Sequence, residues 1–305
     1  MTATPSNFTP RFLSAADGTK LRAGIFEAKE ARAVCVLVGG QTEFIEKYEE
    51  VIGELNARRF TVATFDWRGQ GGSARALADP LKSYVKDFSQ FDDDLQSFLD
   101  QVVRALTDQK PIALAHSMGG HILLRTMHNR PDAFRAAVLT APMLAISTRG
   151  YPPALARIVT ALYAALGGGG DFAWGMAARD PFLIDFDAQL VTSDRTRFAR
   201  CQAFLKAHPD LRLAGPTWGW LEAAYRSMTK VTAPGYAEAI STPVLILGAG
   251  KDRIVMTEAE KQFAARLPHG EYLELPDSEH EIMMENDSIR ARFWAAFDTF
   301  VAKNA

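Results

Sequence analysis

The chain has 305 residues, with 34 basic and 36 acidic side chains and a formal charge of −2, so no long-range field favours a nucleic-acid backbone or an anionic membrane. A chain of this length buries roughly three quarters of its extended surface, either as one large domain or as a domain carrying an insertion. Its two cysteines, Cys35 and Cys201, have no CxxC or Cys/His spacing that would hold a metal, so both are expected as reduced thiols. The opening residues lack a basic segment followed by an apolar one, and no run of roughly 18 apolar residues occurs. The expectation is a soluble cytoplasmic protein, in which the Asn7-Phe8-Thr9 sequon is a chance match.

In chain order, Arg11 to Ser14 and Leu21 to Glu27 flank Asp17-Gly18, a turn signal that predicts an antiparallel hairpin. Ala33 to Val38 reads as a buried strand, and Phe44, Ile45, Tyr48, Val51, Ile52 and Leu55 then repeat with helical spacing. Phe60 to Phe65 is the next strand. Apolar residues from Phe88 to Leu106 mark one long amphipathic helix, whose acids Asp92 to Asp94 are expected on a solvated face. Ile112 to Ala115, Phe134 to Thr140, Pro243 to Leu247 and Glu271 to Leu275 are further strands, and Ile289 to Val301 is a closing helix. Alternation of short apolar runs with amphipathic helices predicts a mostly parallel α/β sheet of about eight strands. The stretch between the sixth and seventh strands has no strong strand pattern and is too long for a plain loop. It predicts a helical cap over residues 144–240, inserted into a core of 1–143 and 241–305, with Gly167 to Gly170 as a flexible joint.

The run Pro111-Ile-Ala-Leu-Ala-His-Ser-Met-Gly-Gly120 ends a strand at a serine and reopens as a helix, the pattern of a nucleophile elbow at Ser117. Small residues two before and two after the serine let strand and helix approach closely. The usual pattern is G-x-S-x-G, and this chain has Ala115 in place of the first glycine. A serine hydroxyl needs a base, and the base needs a partner that fixes its tautomer. Among six histidines, His280 alone follows directly on a sheet strand, and Asp252 follows the strand before it. Without Ser117, Asp252 would suit an Asx turn or an ion pair with Arg253 better than catalysis. Two backbone N–H groups should hold the developing oxyanion. One is that of Met118, after the serine; the other is assigned to Gln41, after Gly39-Gly40 at the end of the third strand.

These parts occur in the order serine, acid, histidine, and with them the chain resembles the α/β-hydrolase superfamily, in particular its monoacylglycerol lipase and lysophospholipase L2-like branch. The resemblance rests on Gly40-Gln-Thr-Glu-Phe-Ile-Glu-Lys-Tyr48, Asp66-Trp-Arg-Gly-Gln-Gly-Gly-Ser73, His116-Ser-Met-Gly-Gly120, Asp252-Arg-Ile-Val255 and His280-Glu-Ile-Met-Met-Glu285, and it spans nearly the whole chain. Many relatives carry His-Gly where this chain has Gly39-Gly40. The resemblance implies an eight-stranded, mostly parallel sheet flanked by helices. It also implies ester hydrolysis through an acyl-enzyme on Ser117, with His280 as base, Asp252 orienting it, and no cofactor or metal.

The insertion is expected to select the substrate. Tyr151, Tyr163, Phe172, Trp174, Phe182, Phe186, Trp218 and Trp220 either line an acyl channel or pack the cap onto the sheet. Pro153 to Leu166 suits either transient contact with a membrane surface or a buried cap helix. The expected partner is a small acyl ester, a monoacylglycerol or lysophospholipid, with smaller carboxylesters or thioesters as the alternative. A capped hydrolase of the epoxide hydrolase or dehalogenase kind needs a carboxylate at the elbow, which Ser117 argues against. A noncatalytic binding protein on the same fold remains the other rival.

Overall fold

The structure, a computed structural model, describes residues 8–148, 150–175 and 184–304; Asn7 of the sequon and Phe182 lie outside them. Asp17-Gly18 closes the expected hairpin, Gly18 taking a left-handed φ of 82°, and β1 (Arg11–Ser14) runs antiparallel to β2 (Lys20–Phe26). With β3 (Ala33–Val38), β4 (Phe60–Phe65), β5 (Ile112–His116), β6 (Ala136–Thr140), β7 (Val244–Ala249) and β8 (Gly270–Leu275) they form one sheet. Its order is β1-β2-β4-β3-β5-β6-β7-β8. β2 meets β4 antiparallel, and every pairing from β4 onward is parallel.

The unbroken apolar runs of β3 and β5 follow from a parallel sheet covered on both faces. Alternate residues of β3 feed two cores. Val34, Val36 and Val38 face one with Phe65 and with Phe91, Leu95 and Phe98 of α2 (Ser89–Phe98). Cys35 and Leu37 face the other with Val51, Ile52 and Leu55 of α1 (Glu49–Ala57) and the C-terminal aromatics Phe293 and Phe297. α3 (Met118–Asn129) packs in the first core. Between β6 and β7 lie α4 (Pro153–Ala165), α5 (Arg195–Ala207) and α6 (Trp218–Val231); α7 (Thr257–Ala264) and α8 (Asp287–Asn304) follow.

Three expectations need correction. The long helix from Phe88 gives way to a π turn at Leu99–Val103. Its acids are not one solvated face: Asp94 is fully buried and bonded by Arg68 at 2.8 and 2.6 Å, and Asp92 accepts from Arg125 Nε at 2.9 and 3.1 Å, so only Asp93 faces solvent. Burying a carboxylate requires such a partner, and both arginines come from other segments of the chain, invisible to helical periodicity. Gly167 closes α4 with a left-handed φ of 94° and Gly168–Gly170 form a 3-10 turn against α6, so this joint is a helix cap. The insertion also carries a two-residue parallel ladder of Gly215–Pro216 with Lys82–Ser83 that ties it to the core.

Candidate active site

In a parallel sheet, loops that leave the carboxyl ends of neighbouring strands meet along one edge. Here the loops after β3, β5, β7 and β8 bring Gly40, Ser117, Asp252 and His280 together. Ser117 sits at φ 49°, ψ −115°, a conformation that costs a non-glycine residue on the order of 1–3 kcal/mol and persists where the surroundings fix it. They do so here. Ser117 N–H donates to the Thr140 carbonyl at 3.0 Å, and its own carbonyl accepts from Met143 N–H at 3.0 Å and His121 N–H at 3.1 Å. Gly119 is required for the turn, because a Cβ there would lie 2.5 Å from the Gly39 carbonyl oxygen. Ala115, the relaxed position, is fully buried within β5.

His280 spans the other two side chains. Its Nδ1 lies 2.6 Å from Asp252 Oδ2 and its Nε2 lies 3.0 Å from Ser117 Oγ. A carboxylate only accepts, so the proton sits on Nδ1 and Nε2 is left to accept from the serine hydroxyl. Asp252 Oδ1 accepts from Ile254 and Val255 N–H at 2.8 and 2.9 Å. The Asx turn and the histidine bond therefore coexist on the two oxygens of one carboxylate, while Arg253 pairs with Glu279 at 3.2 Å. Burial alone would raise the Asp252 carboxyl; the His280 ring and the two N–H groups outweigh it and hold it below the ordinary carboxylate range.

Gly40 packs directly against the elbow, where a Cβ would meet Ser117 Cβ at 3.1 Å and His116 Cδ2 at 3.2 Å. Gln41, the expected oxyanion donor, is the next residue in this loop. Among the described residues, no group accepts from the N–H of Gln41 or of Met118. Sequence reasoning missed the side chains that shape this loop. Trp67 Nε1 donates to Gly39 O at 2.9 Å, Gln70 Nε2 to Gly40 O at 2.7 Å, and Gln70 Oε1 accepts from Thr42 N–H at 3.2 Å. Thr42 itself is left-handed at φ 67°, so Gln70 anchors a strained turn. Asp66 accepts from Ile45 N–H at 2.9 Å. The motif Asp66 to Ser73 carries these contacts, but nothing in its spacing says which loop its side chains reach.

The other histidines do not complete this arrangement. His116 is buried beside His280, with ring centroids 4.6 Å apart, and its Nδ1 lies 3.1 Å from the Thr140 carbonyl oxygen. Burial pushes it down to about 3, so it stays neutral. His121 bonds Ser227 Oγ at 2.6 Å, and burial likewise pushes it down to about 3. His128 stacks on Tyr236 and His208 on Phe204. No group of three or more metal-ligating side chains occurs among the described residues.

The aromatics of the insertion divide. Trp220 is buried and meets core Phe88 at 5.7 Å, and Trp218 is buried against Tyr163 and Trp174. Phe172 and Phe186 are half-buried, and Tyr151 and Trp174 are exposed. Among the described residues, no helix is long and apolar enough to cross a membrane.

Residues 29–287 match the hydrolase family described as serine aminopeptidase, S33. The chain is 33% identical over 276 residues to lysophospholipase L2 of Escherichia coli strain K12, covering 87% of this chain and 79% of that protein. It is 25% identical over 238 residues to the monoacylglycerol lipase of Mycolicibacterium smegmatis, covering 78% and 76%. Among solved structures it resembles a soluble variant of the monoglyceride lipase of Saccharomyces cerevisiae bound to a substrate analogue. The TM-score is 0.77 at 17% identity, over 100% of this chain and 97% of that one, a likeness of fold.

Proposed function

The chain belongs to the serine aminopeptidase, S33, family of hydrolases and is an ester hydrolase on the α/β-hydrolase fold; from that premise we propose that it cleaves carboxylic esters of monoacylglycerols or lysophospholipids through an acyl-enzyme on Ser117. The observation that carries this is the unbroken line from Ser117 Oγ through His280 to Asp252, at 3.0 and 2.6 Å. His280 Nε2 takes the hydroxyl proton as Ser117 Oγ bonds to the acyl carbon, and the carbonyl oxygen becomes an oxyanion held by the Gln41 and Met118 N–H groups. Collapse breaks the bond to the glycerol oxygen, which leaves with the proton from His280. Water then adds to the acyl-serine by the same route and releases a fatty acid. Asp252 orients the ring and holds its proton on Nδ1. The lipid-like substrate is supported by the lysophospholipase and monoacylglycerol lipase relatives.

Residues 144–240 act as the cap over this site, and α4 is its lipid-facing element. Leu155, Ile158 and Leu162 are 50%, 57% and 59% exposed, whereas Thr160 and Ala164 on the opposite side turn toward the protein. A helix that presents leucine and isoleucine to water suits transient seating on a micelle or membrane surface.

The test is intact mass after exposure to a fluorophosphonate, with peptide mapping, followed by fatty-acid release from monoacylglycerol, lysophosphatidylcholine, a short soluble ester and an aminoacyl amide. One adduct per chain on Ser117 and faster turnover of the lipids are expected. An unlabelled folded protein overturns the acyl-enzyme, and turnover of the amide or short ester alone overturns the lipid assignment.

A further inference from the structure

Glu43, Lys47 and Glu281 link the loop after β3 to the loop that carries His280, without a part in the steps above. Lys47 Nζ donates to Glu43 Oε1 at 2.7 Å and to Glu281 Oε1 at 2.6 Å. All three side chains are nearly buried, at 4%, 9% and 13% exposure for Glu43, Lys47 and Glu281. Glu43 belongs to the loop after β3, and its Oε2 takes the Gly40 N–H and the Tyr48 hydroxyl. Glu281 directly follows His280. One ammonium thus joins the loop that carries the Gln41 N–H to the loop that carries the histidine.

We propose that Lys47 is a positioning residue, which through Glu43 and Glu281 holds the Gln41 N–H and His280 Nε2 in fixed relation around Ser117 Oγ. The inference rests on the acyl-enzyme reading. A buried ion cluster adds little stability over apolar packing of the same volume, but it restricts geometry, since the ammonium must reach both carboxylates at once. On the Glu43 side the bridge is ionic. Burial would raise the Glu43 carboxyl, but the Lys47 charge and the bonds from Lys47 and Tyr48 bring it down to about 2. Burial keeps Glu281 above its ordinary value, Lys47 offsetting this only in part. Burial would lower Lys47, and the two carboxylates outweigh it, so the ammonium stays charged. A displacement of about 1 Å in a reacting group or oxyanion donor costs roughly 10²-fold in rate.

The experiment compares the wild type with Lys47→Met, Lys47→Arg and the uncharged triple variant Glu43→Gln, Lys47→Met, Glu281→Gln, which leaves no unpaired buried charge if the single variant fails to fold. The probe is an alkyl trifluoromethyl ketone, whose carbonyl carbon bonds to Ser117 Oγ while the serine proton passes to His280, leaving a tetrahedral oxyanion. Expected for Lys47→Met and the triple variant is a fall in kcat/KM of roughly 10- to 10²-fold, located in kcat, with a parallel fall in ketone affinity and recovery in Lys47→Arg. Rates are referred to active sites counted by fluorophosphonate, so a loss of folded fraction alone does not register. Unchanged kcat/KM and ketone affinity in a folded triple variant, or a loss confined to KM, overturns the inference. A wild type that neither labels on Ser117 nor binds the ketone overturns the acyl-enzyme reading beneath it.

Discussion

Helices α3 and α4 are both rich in apolar residues, yet α3 buries ten of its 12 residues and α4 buries only Thr160 of its 13. α3 follows the elbow, wedged between the sheet and α2 and α6, and its glycine, leucine and isoleucine positions are filled by neighbours on every side. α4 turns a narrow face of Ala156, Val159, Thr160 and Ala164 inward and leaves its larger apolar side chains in solvent. Apolar composition therefore marks a surface that will avoid water without saying what covers it. In α3 the rest of the chain does, and in α4 the proposal assigns that role to lipid.

The largest effect expected separates chemistry from packing. Ser117→Ala should lower ester turnover by roughly 10³-fold or more while the melting temperature stays within about 2 °C of the wild type, measured by initial rates and calorimetry. Asp252→Asn should cost a comparable roughly 10³- to 10⁴-fold. Its oxygen would stay on the Ile254 and Val255 N–H groups, so the amide NH₂ would face His280 Nδ1 and drive the ring proton onto Nε2, where it cannot accept from the serine. Full activity in either variant would remove that residue from the mechanism.

Within the helix comparison, Leu123→Ala in α3, at 0% exposure, should cost about 2–5 kcal/mol in denaturant unfolding. Leu162→Ala in α4 should stay within about 0.5 kcal/mol. If Leu162→Ala proved as costly as Leu123→Ala, α4 would be packed against protein in solution. With α4 exposed, the triple variant Leu155→Ser, Ile158→Ser, Leu162→Ser should lower turnover of micellar or vesicular long-chain substrate by roughly 10-fold and leave a short soluble ester unchanged. Equal effects on both substrates would end the surface-seating idea.

The smallest effect concerns the join between insertion and core. Glu50 of α1 is bonded by Arg197 and Arg200 of α5 and by Arg290 of α8. Burial would raise its carboxyl, but these arginines bring it down to about 2. A carboxyl held lower in the folded than in the unfolded chain stabilises the fold above its unfolded value, and that contribution is lost as pH falls toward the folded one. Melting temperature should therefore decline between about pH 5 and pH 3, and Glu50→Gln should show a shallower decline. An unchanged slope would show that this junction does not govern the acid response.

Much of the site is legible in sequence because its parts are local. Pro111 to Gly120 encodes a strand, a strained turn and a helix within ten residues, and Asp252 and His280 each stand just beyond a strand whose apolar run marks its end. Parallel topology then delivers those ends to one edge. Asp92 and Asp94 resisted the same treatment, because the pattern around them specifies a helix but not the arginine each carboxylate meets. Gln70 and Trp67 were visible within a motif, yet their acceptors lie about thirty residues earlier on another loop.

The sequence by itself determined the strands, the elbow, the order of serine, acid and histidine, and the helical character of the insertion, because each depends on the spacing of neighbouring residues and on local backbone preference. Only the tertiary structure decided the Asp92–Arg125 and Asp94–Arg68 pairs, the Lys47 bridge between two loops, and which apolar helix face remains in water. Those depend on which surfaces meet after folding, where desolvation drives the carboxylates of α2 onto arginines from other segments and leaves an apolar face exposed wherever the chain itself supplies nothing to cover it.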